Sequence, residues 1–137
     1  MPTHITKEVY AAISFEKGLV PHYDNLVSNF ITEGLFINNK GETPIIKPIN
    51  EYVTFIKNNV EAGNILSLRE SEIDLTISLF GNVGNITSKY KLDFETKEGN
   101  FTKYGVNLFQ IIKKDTQWKV VSMCWDDRDD KILLGIN

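Results

Sequence analysis

The sequence predicts an α+β fold in which three helices come first and a meander of long strands follows. Apolar residues recur at helical spacing in three segments before residue 62, and they alternate with polar residues in the segments after residue 66. Helices and strands that are segregated along a chain are typical of domains whose helices pack on one face of an antiparallel sheet. Because long antiparallel strands curve, we expect them to wrap around the helices and leave a cavity at the open end.

Composition and charge limit the classes of protein to which this sequence can belong. The chain has 137 residues, so we expect residues 1–137 to form a single domain. Hydrophobic residues make up 42% and charged residues 24%, the balance of a globular chain. The net charge is −3 and no run of Lys or Arg exceeds two, so no nucleic-acid partner is expected. There is no apolar run of about 20 residues and no signal peptide, so we predict a cytoplasmic protein without a membrane partner.

Three helices are predicted in the first half of the chain. The first covers residues 5–17, and Gly18 is placed to end it. The second begins at Pro21, whose missing N–H costs nothing in a first helical turn. The third covers residues 49–61 and is opened by Pro48. Their apolar stripes are Ile5, Val9, Ala12 and Ile13, then Tyr23, Leu26, Val27 and Phe30, then Ile49, Val53, Ile56 and Val60.

Two short strands and four long ones complete the prediction. The short ones lie at residues 35–37 and 45–46, and the prolines that bracket the second suit an edge strand. The long ones lie around residues 73–79, 86–95, 101–113 and 117–126. In the first long strand the alternation predicts a half-buried strand with these residues on its buried face: Ile73, Leu75, Ile77 and Leu79.

The last two strands form a hairpin with two unequal faces. Alternation groups Asn107, Phe109 and Ile111 on one face of the first strand. It groups Val121, Met123, Trp125 and Asp127 on one face of the second. The opposite faces carry the apolar residues Val106, Leu108, Ile112, Val120 and Cys124. An apolar sheet face of this kind usually marks an interface.

The segment from Trp118 to Trp125, WKVVSMCW, is typical of the last strand of nuclear-transport-factor-two-like proteins, and residues 107–111 resemble the strand before it. The order of elements from about Ile5 to Asp127 is similar to theirs as well. The resemblance implies a cone-shaped, cystatin-like roll with a pocket, as in ketosteroid isomerase, scytalone dehydratase, limonene epoxide hydrolase and SnoaL-like cyclases. It also implies a homodimer paired sheet to sheet. It implies no single activity, because this fold hosts many functions.

Three activities of that superfamily can be compared with the residues present. The base of the isomerase would fall near Asn38, and an amide cannot abstract a proton from carbon. The dehydratase needs pocket histidines, whereas only His4 and His22 are present. Lys91 and Asp93 loosely resemble the Arg-x-Asp element of the epoxide hydrolase, but Lys lacks the planar fork that bridges two carboxylates. The solvated face of a strand is the stronger interpretation of Lys91 and Asp93.

The resemblance places the candidate pocket on the face that carries Asn107. If the protein has chemistry, Asp127 is the candidate acid or base, because burial among aromatic rings raises the pKa of a carboxyl group. Asn107 is the candidate hydrogen-bond donor, with Tyr10 or Tyr23 as a second donor. The ligand-binding residues expected beside them are Tyr10, Tyr23, Phe109, Met123 and Trp125. The alternatives are that Trp125 plugs the cone and that Asp127 belongs to an exposed acidic tail.

The sequence therefore predicts a protein that binds a small, mostly apolar or carbonyl-containing molecule. Lyase, isomerase or hydrolase chemistry without a cofactor is left open. Two histidines and the single cysteine Cys124 leave no metal site in the prediction. The alternative function is a non-catalytic dimerisation or protein-interaction module that uses the outer sheet face.

Overall fold

The computed structural model describes residues 1–126, which form three helices and one six-stranded sheet. The helices are α1 (Ile5–Ile13), α2 (Tyr23–Ser28) and α3 (Ile49–Glu61). The strands are β1 (Phe30–Asn38), β2 (Ile45–Pro48), β3 (Ser67–Phe80), β4 (Val83–Thr96), β5 (Gly99–Lys114) and β6 (Gln117–Trp125). The curved sheet has the order β2-β1-β6-β5-β4-β3. The predicted α+β fold class, with a curved sheet and N-terminal helices, is confirmed.

Sheet pairing brings the ends of β1 and β6 together. All neighbouring strands are antiparallel except β1 and β6, which run parallel with Phe36 opposite Met123 and Asn38 opposite Trp125. The amide of Asn39 donates to the carbonyl of Trp125 at 2.9 Å and closes this end. β2 lies at the edge of the sheet, as its flanking prolines predict.

The core lies between the helices and the inner face of the sheet. Burial of these apolar side chains is the main stabilising term, at roughly 25 cal/mol per Å² of apolar surface. The core residues include Ile5, Val9, Ile13, Leu26, Phe30, Phe36, Ile49, Ile56, Ile86, Tyr90, Phe109, Ile111, Val120 and Met123.

The first two helices are shorter than predicted. α1 ends at Ile13, and the next residues extend so that Phe15 pairs with Leu68 through two backbone hydrogen bonds of 2.8 and 3.0 Å. This bridge satisfies part of the open edge of β3, which a longer helix would leave unpaired. Gly18 instead supplies a turn residue with φ of +88°. α2 ends at Ser28, so that Phe30 belongs to β1 rather than to the helix.

A β-bulge in β6 changes the face of two valines. Gln110 lies opposite Ser122 and Ile111 lies opposite Val120, so that Val121 is the extra residue. Val120, predicted on the outer face, is fully buried with 0% exposure. Val121, predicted on the inner face, is only partly buried and lies outside the core. Strict alternation is wrong here because the bulge inserts one residue into the period of two.

A second bulge, in β3, turns two carboxylates toward the helices. Glu72 pairs with Tyr90 and Asp74 pairs with Lys89, so that Ile73 is the extra residue. Ile73, predicted as buried, is 47% exposed. Because Tyr90 is a core residue, its partner Glu72 shares the inner face, and Glu70, two residues earlier, lies on the same face.

The β6 bulge makes the two neighbouring valines unequal. We expect Val120→Ala to lower the free energy of unfolding by about 2 kcal/mol, because it removes fully buried methyl groups and leaves a cavity. Val121→Ala should cost less than about 1 kcal/mol, since its side chain is outside the core. Urea denaturation with an unchanged m-value is the measurement. Equal losses for the two variants would contradict the bulge.

Candidate functional site

A chain of hydrogen bonds crosses the space between α1 and the sheet. The Nδ2 of Asn107 donates to the Tyr10 hydroxyl at 3.0 Å, and that hydroxyl donates to the Ser88 Oγ at 2.7 Å. The Ser88 Oγ donates to Oε2 of Glu72 at 2.7 Å, and the Thr6 hydroxyl donates to the same oxygen at 2.5 Å. These hydrogen bonds therefore join α1, β3, β4 and β5.

Local structure explains how these polar side chains meet. Asn107 and Ser88 are directly opposite each other in the β5–β4 ladder, so both point to the inner face. Tyr10 lies on the stripe of α1 that faces the sheet, one turn from Thr6. Thr6 and Ser88 are fully buried, and Asn107 and Tyr10 are 1% and 2% exposed. Polar groups at this depth need partners, because an unpaired buried polar group costs about 1–3 kcal/mol.

An inner cavity of about 100 Å³ lies beside this chain. Its polar side-chain groups are those of Asn107 and Glu70, the hydroxyl groups of Tyr52 and Tyr90, and the indole N–H of Trp125. Gly105 contributes to its shape, because a Cβ at that position would collide with the ring and hydroxyl of Tyr90. The full lining is Ile13, Tyr52, Leu68, Glu70, Tyr90, Leu92, Asn107, Met123 and Trp125.

An aromatic groove of about 240 Å³ lies next to the inner cavity and shares Tyr52 and Trp125 with it. The Tyr52 ring stacks on Phe36 at a centroid distance of 3.8 Å and meets the edge of Trp125 at 6.1 Å. These two rings form the wall between the hollows. The groove is lined by Phe36, Asn38, Ile45, Lys47, Tyr52, Phe55 and Trp125.

A wider open groove of about 850 Å³ lies between residues 14–22 and the ends of β3, β4 and β5. Leu19 and Val20 are exposed on its rim, and Leu68 is the residue that it shares with the inner cavity. It is a surface depression, whereas the inner cavity is walled by buried polar groups.

The pKa of Tyr10 is raised well above its ordinary value. Burial is the main cause, because it disfavours the phenolate, and the negative charge of Glu70 adds to it. The hydrogen bonds with Ser88 and Asn107 oppose the shift but do not cancel it. Tyr10 therefore keeps its proton to a higher pH than an exposed tyrosine, and its hydroxyl donates to Ser88.

The structure brings together part of the predicted site. Asn107, Met123 and Trp125 line the inner cavity. Tyr10 lies behind Asn107, with its hydroxyl in the hydrogen-bond chain, and Phe109 packs in the core with its ring 6.3 Å from that of Tyr10.

Tyr23, a further predicted site residue, is not among the residues that line the cavity. Tyr23 lies on α2, where Lys57 Nζ is 5.3 Å from its ring centroid. Its hydroxyl is buried without a hydrogen-bond partner among residues 1–126, and burial followed by the charge of Glu61 raises its pKa. Asp127, the predicted acid or base, lies outside the described residues.

The residues compared with the superfamily enzymes are spread over the molecule. Asn38 lines the aromatic groove, and its Oδ1 accepts from the amide of Lys40 at 3.1 Å. His4 and His22 are exposed positions that precede α1 and α2. Lys91 and Asp93 are about half exposed, with Nζ and Oδ2 3.8 Å apart, and neither lines the inner cavity.

Sequence reasoning missed the two carboxylates Glu70 and Glu72. Alternation that is continued back from Leu75 and Ile77 assigns these acids to the outer face, and the bulge at Ile73 reverses that assignment. The stretch from Arg69 to Asp74 offers no signal for an inserted residue, since acids flank Ile73 on both sides.

Within residues 1–126, no group of three or more His, Cys, Asp and Glu side chains is placed to hold a metal ion. In the same range, no helix has the length and apolar character needed to cross a membrane.

The raised pKa of Tyr10 predicts a pH-dependent stability. Above the ordinary tyrosine pKa of about 10, the unfolded chain loses this proton while the folded protein keeps it, so the free energy of unfolding falls as pH rises. We expect the wild type to lose up to about 1.4 kcal/mol per pH unit relative to Tyr10→Phe above that pH. Below pH 9 the difference between the two should be constant. Denaturation at pH 8 and pH 11 checks this, and an identical difference at both values would contradict it.

Comparisons with known proteins identify the fold. No family model matches the chain, and no curated protein matches it in sequence. Among solved structures, a "putative aromatic ring hydroxylase" of Novosphingobium aromaticivorans superposes with a TM-score of 0.73 at 18% identity, over 92% of this chain and 85% of that one. A "putative ketosteroid isomerase" of Shewanella frigidimarina gives 0.65 at 15% identity, over 90% and 93%.

A third structure supplies the fold name. A nuclear-transport-factor-two-like protein of unknown function from Pseudomonas putida superposes with a TM-score of 0.66 at 7% identity, over 90% of this chain and 81% of that one. These matches cover most of both chains, and at such identities they establish architecture rather than activity. The chain therefore has the nuclear-transport-factor-two-like fold.

Proposed function

We propose that the protein binds a small, mostly apolar molecule with one polar end. The observation that carries the proposal is the adjacency of two hollows of different character, the inner cavity with Asn107 and Glu70 and the aromatic groove beside it. A molecule that places its polar end in the cavity can lay its apolar body on the rings of Phe36 and Phe55. Sites for small ligands commonly combine an apolar lining with a few convergent polar groups.

The sizes of the two hollows support a small ligand. The cavity of about 100 Å³ and the groove of about 240 Å³ together reach the lower end of the range for small-molecule sites, which begins at roughly 300 Å³. A ligand that spans both requires the rings of Tyr52 and Trp125 to separate. Trp125 is partly exposed, and its ring packs against the core through edge contacts with Phe36 and Tyr52.

Any chemistry in this proposal is acid–base chemistry without a cofactor. Glu70 supplies the carboxylate that lines the cavity, and Asn107 supplies an amide within the same walls. A carboxylate can accept or return a proton within hydrogen-bond reach of a bound molecule, as lyase, isomerase and hydrolase reactions require. Glu70 takes the role for which Asp127 was the sequence candidate.

Ligand binding is tested in a Trp118→Phe background, in which Trp125 is the sole tryptophan. One- and two-ring compounds that carry a single polar group should change its fluorescence, and ligand-observed NMR should detect the same compounds. Asn107→Leu is expected to weaken their binding about tenfold, the equivalent of about 1.4 kcal/mol. The control is Leu108→Ala on the outer face, which should bind like the parent. Binding that survives Asn107→Leu but is lost in Leu19→Asp would place the ligand in the open groove instead.

A second candidate function rests on the outer face of the sheet. Ile46, Ile37, Cys124 and Leu108 lie side by side across four neighbouring strands, β2, β1, β6 and β5. Leu108 is 52% exposed, and Ile46 is exposed as well. We propose that this row pairs with the same row of a second copy, since an isologous interface needs a self-complementary surface. Val120 plays no part, because it is buried in the core.

Sedimentation equilibrium tests the homodimer. The wild type should be dimeric at micromolar concentration, and Leu108→Lys should be monomeric because it places a charge in the centre of the apolar row. Its fluorescence response to cavity ligands should be unchanged. A monomeric wild type would remove the dimer proposal and leave the ligand proposal intact.

A further inference from the structure

We infer that the ligand carries a carboxylate at the end of its apolar body that lies in the aromatic groove, and that Lys47 binds this carboxylate. The inference rests on the proposed ligand binding and names the chemical class of the ligand, a small apolar monocarboxylic acid. It is carried by the position of one lysine in the groove and by the absence of an acid beside it among residues 1–126.

Strand pairing directs the Lys47 side chain toward the groove. Lys47 lies directly opposite Phe36 in the β2–β1 ladder, and residues that are directly opposite point to the same face of a sheet. Phe36 is buried at 1% exposure, so both side chains lie on the inner face. Lys47 is partly buried there, and among residues 1–126 it is the only charged side chain that lines the groove.

The ammonium group of Lys47 has a ring beside it but no acid. Its Nζ lies 5.3 Å from the centroid of the Phe55 ring, and no Asp or Glu oxygen in the described part of the chain is within 4.0 Å of it. Lys17, by contrast, pairs with Glu95 at 3.2 Å. An ammonium group has three donors, and the ring face engages the charge without accepting from all of them. Lys47 therefore keeps donors for an anionic ligand group.

The acids that adjoin the groove residues in sequence do not line the groove. Glu51 precedes Tyr52 on α3, and Asp126 follows Trp125 at the end of β6, but both acids are exposed and neither belongs to the groove lining. The described lining therefore carries one positive charge. One ammonium group matches the single negative charge of a carboxylate, whereas a phosphate group with nearly two charges would be only half balanced.

The groove also offers apolar surface and room beside this cation. Ile45 and Phe55 are 50% and 49% exposed, so a ligand can cover them. An apolar cavity of roughly 150 Å³ holds a benzene molecule. The groove of about 240 Å³ therefore has room for a ring and a carboxylate.

The charge of Glu70 sets the orientation of the acid. Glu70 lines the inner cavity, on the other side of the wall formed by Tyr52 and Trp125. A carboxylate in that cavity would meet a like charge, which disfavours its ionised form. The ligand therefore places its carboxylate at Lys47 and points its other end, apolar or with a neutral polar group, toward the cavity.

Three compounds with one ring system test the inference: indane-2-carboxylate, its neutral amide indane-2-carboxamide, and 1-indanol. For the wild type we expect the carboxylate to bind about tenfold more tightly than the amide, because charge-assisted hydrogen bonds are roughly twice as strong as neutral ones. NMR titration measures the dissociation constants. Equal binding of the acid and the amide would overturn the inference but leave the proposed ligand site standing. Binding of none of the three would overturn the proposed function and the inference together.

A matched pair of lysine variants locates the carboxylate. Lys47→Gln should bring the ratio of the dissociation constants of the amide and the acid to about one, and Lys47→Arg should keep the preference for the acid. Lys57→Gln is the control, because Lys57 also lies 5.3 Å from a ring centroid, that of Tyr23, but does not line the groove. Its ratio should match the wild type. An equal drop in Lys47→Gln and Lys57→Gln would assign the preference to net charge and overturn the inference.

A further variant separates the aromatic groove from the open groove. Arg69 is an exposed cation that lines the open groove. Retention of the preference for the acid in Arg69→Gln, together with its loss in Lys47→Gln, supports Lys47 as the carboxylate site. Loss in Arg69→Gln and retention in Lys47→Gln would place the carboxylate in the open groove and overturn the inference.

Discussion

One carboxylate, that of Glu72, orders the interior of this protein. It accepts two buried hydroxyl groups and thereby fixes the donors along a path from β3 through β4 and α1 to β5. The same path holds α1 against the sheet, because each link joins a different element. Buried polar groups that are all paired specify one packing, since any shift of Tyr10 would leave a buried donor or acceptor without a partner.

The architecture can be predicted from the sequence because each helix or strand is indicated by a hydrophobic pattern that several residues share. Helical stripes and alternation predict all three helices and all six strands. α1 and α2 end earlier than predicted, where Phe15 and Phe30 join the sheet, and α2 begins at Tyr23 rather than at Pro21. The candidate site depends instead on single residues. Two bulges, at Ile73 and Val121, each add one residue to a period of two and exchange the faces around them. A single sequence carries no signal for such an insertion, so Glu70 and Glu72 could not be assigned to the interior.

The structure places the two predicted donors differently from what the resemblance to superfamily enzymes implies. Asn107 and Tyr10 were expected to face a ligand as donors, whereas the Tyr10 hydroxyl donates to Ser88 behind the cavity and only Asn107 lines it. Proteins that share a fold at 18% identity or less can differ in the polar groups of their cavities. A change from acid to amide at one residue beside the cavity lining is enough to alter the polar groups that a ligand meets. The fold supplies the cone, and the residues behind the cavity wall decide what it accepts.

The most direct test is a crystal structure of the protein with 1-indanol bound. We expect density in the inner cavity with the ligand oxygen about 2.7–3.0 Å from the side-chain amide of Asn107 or a carboxylate oxygen of Glu70. The hydrocarbon rings should lie toward Tyr52 and Trp125, which open into the aromatic groove. Density for the ligand in the open groove beside residues 14–22, with the inner cavity empty, would contradict the proposed site.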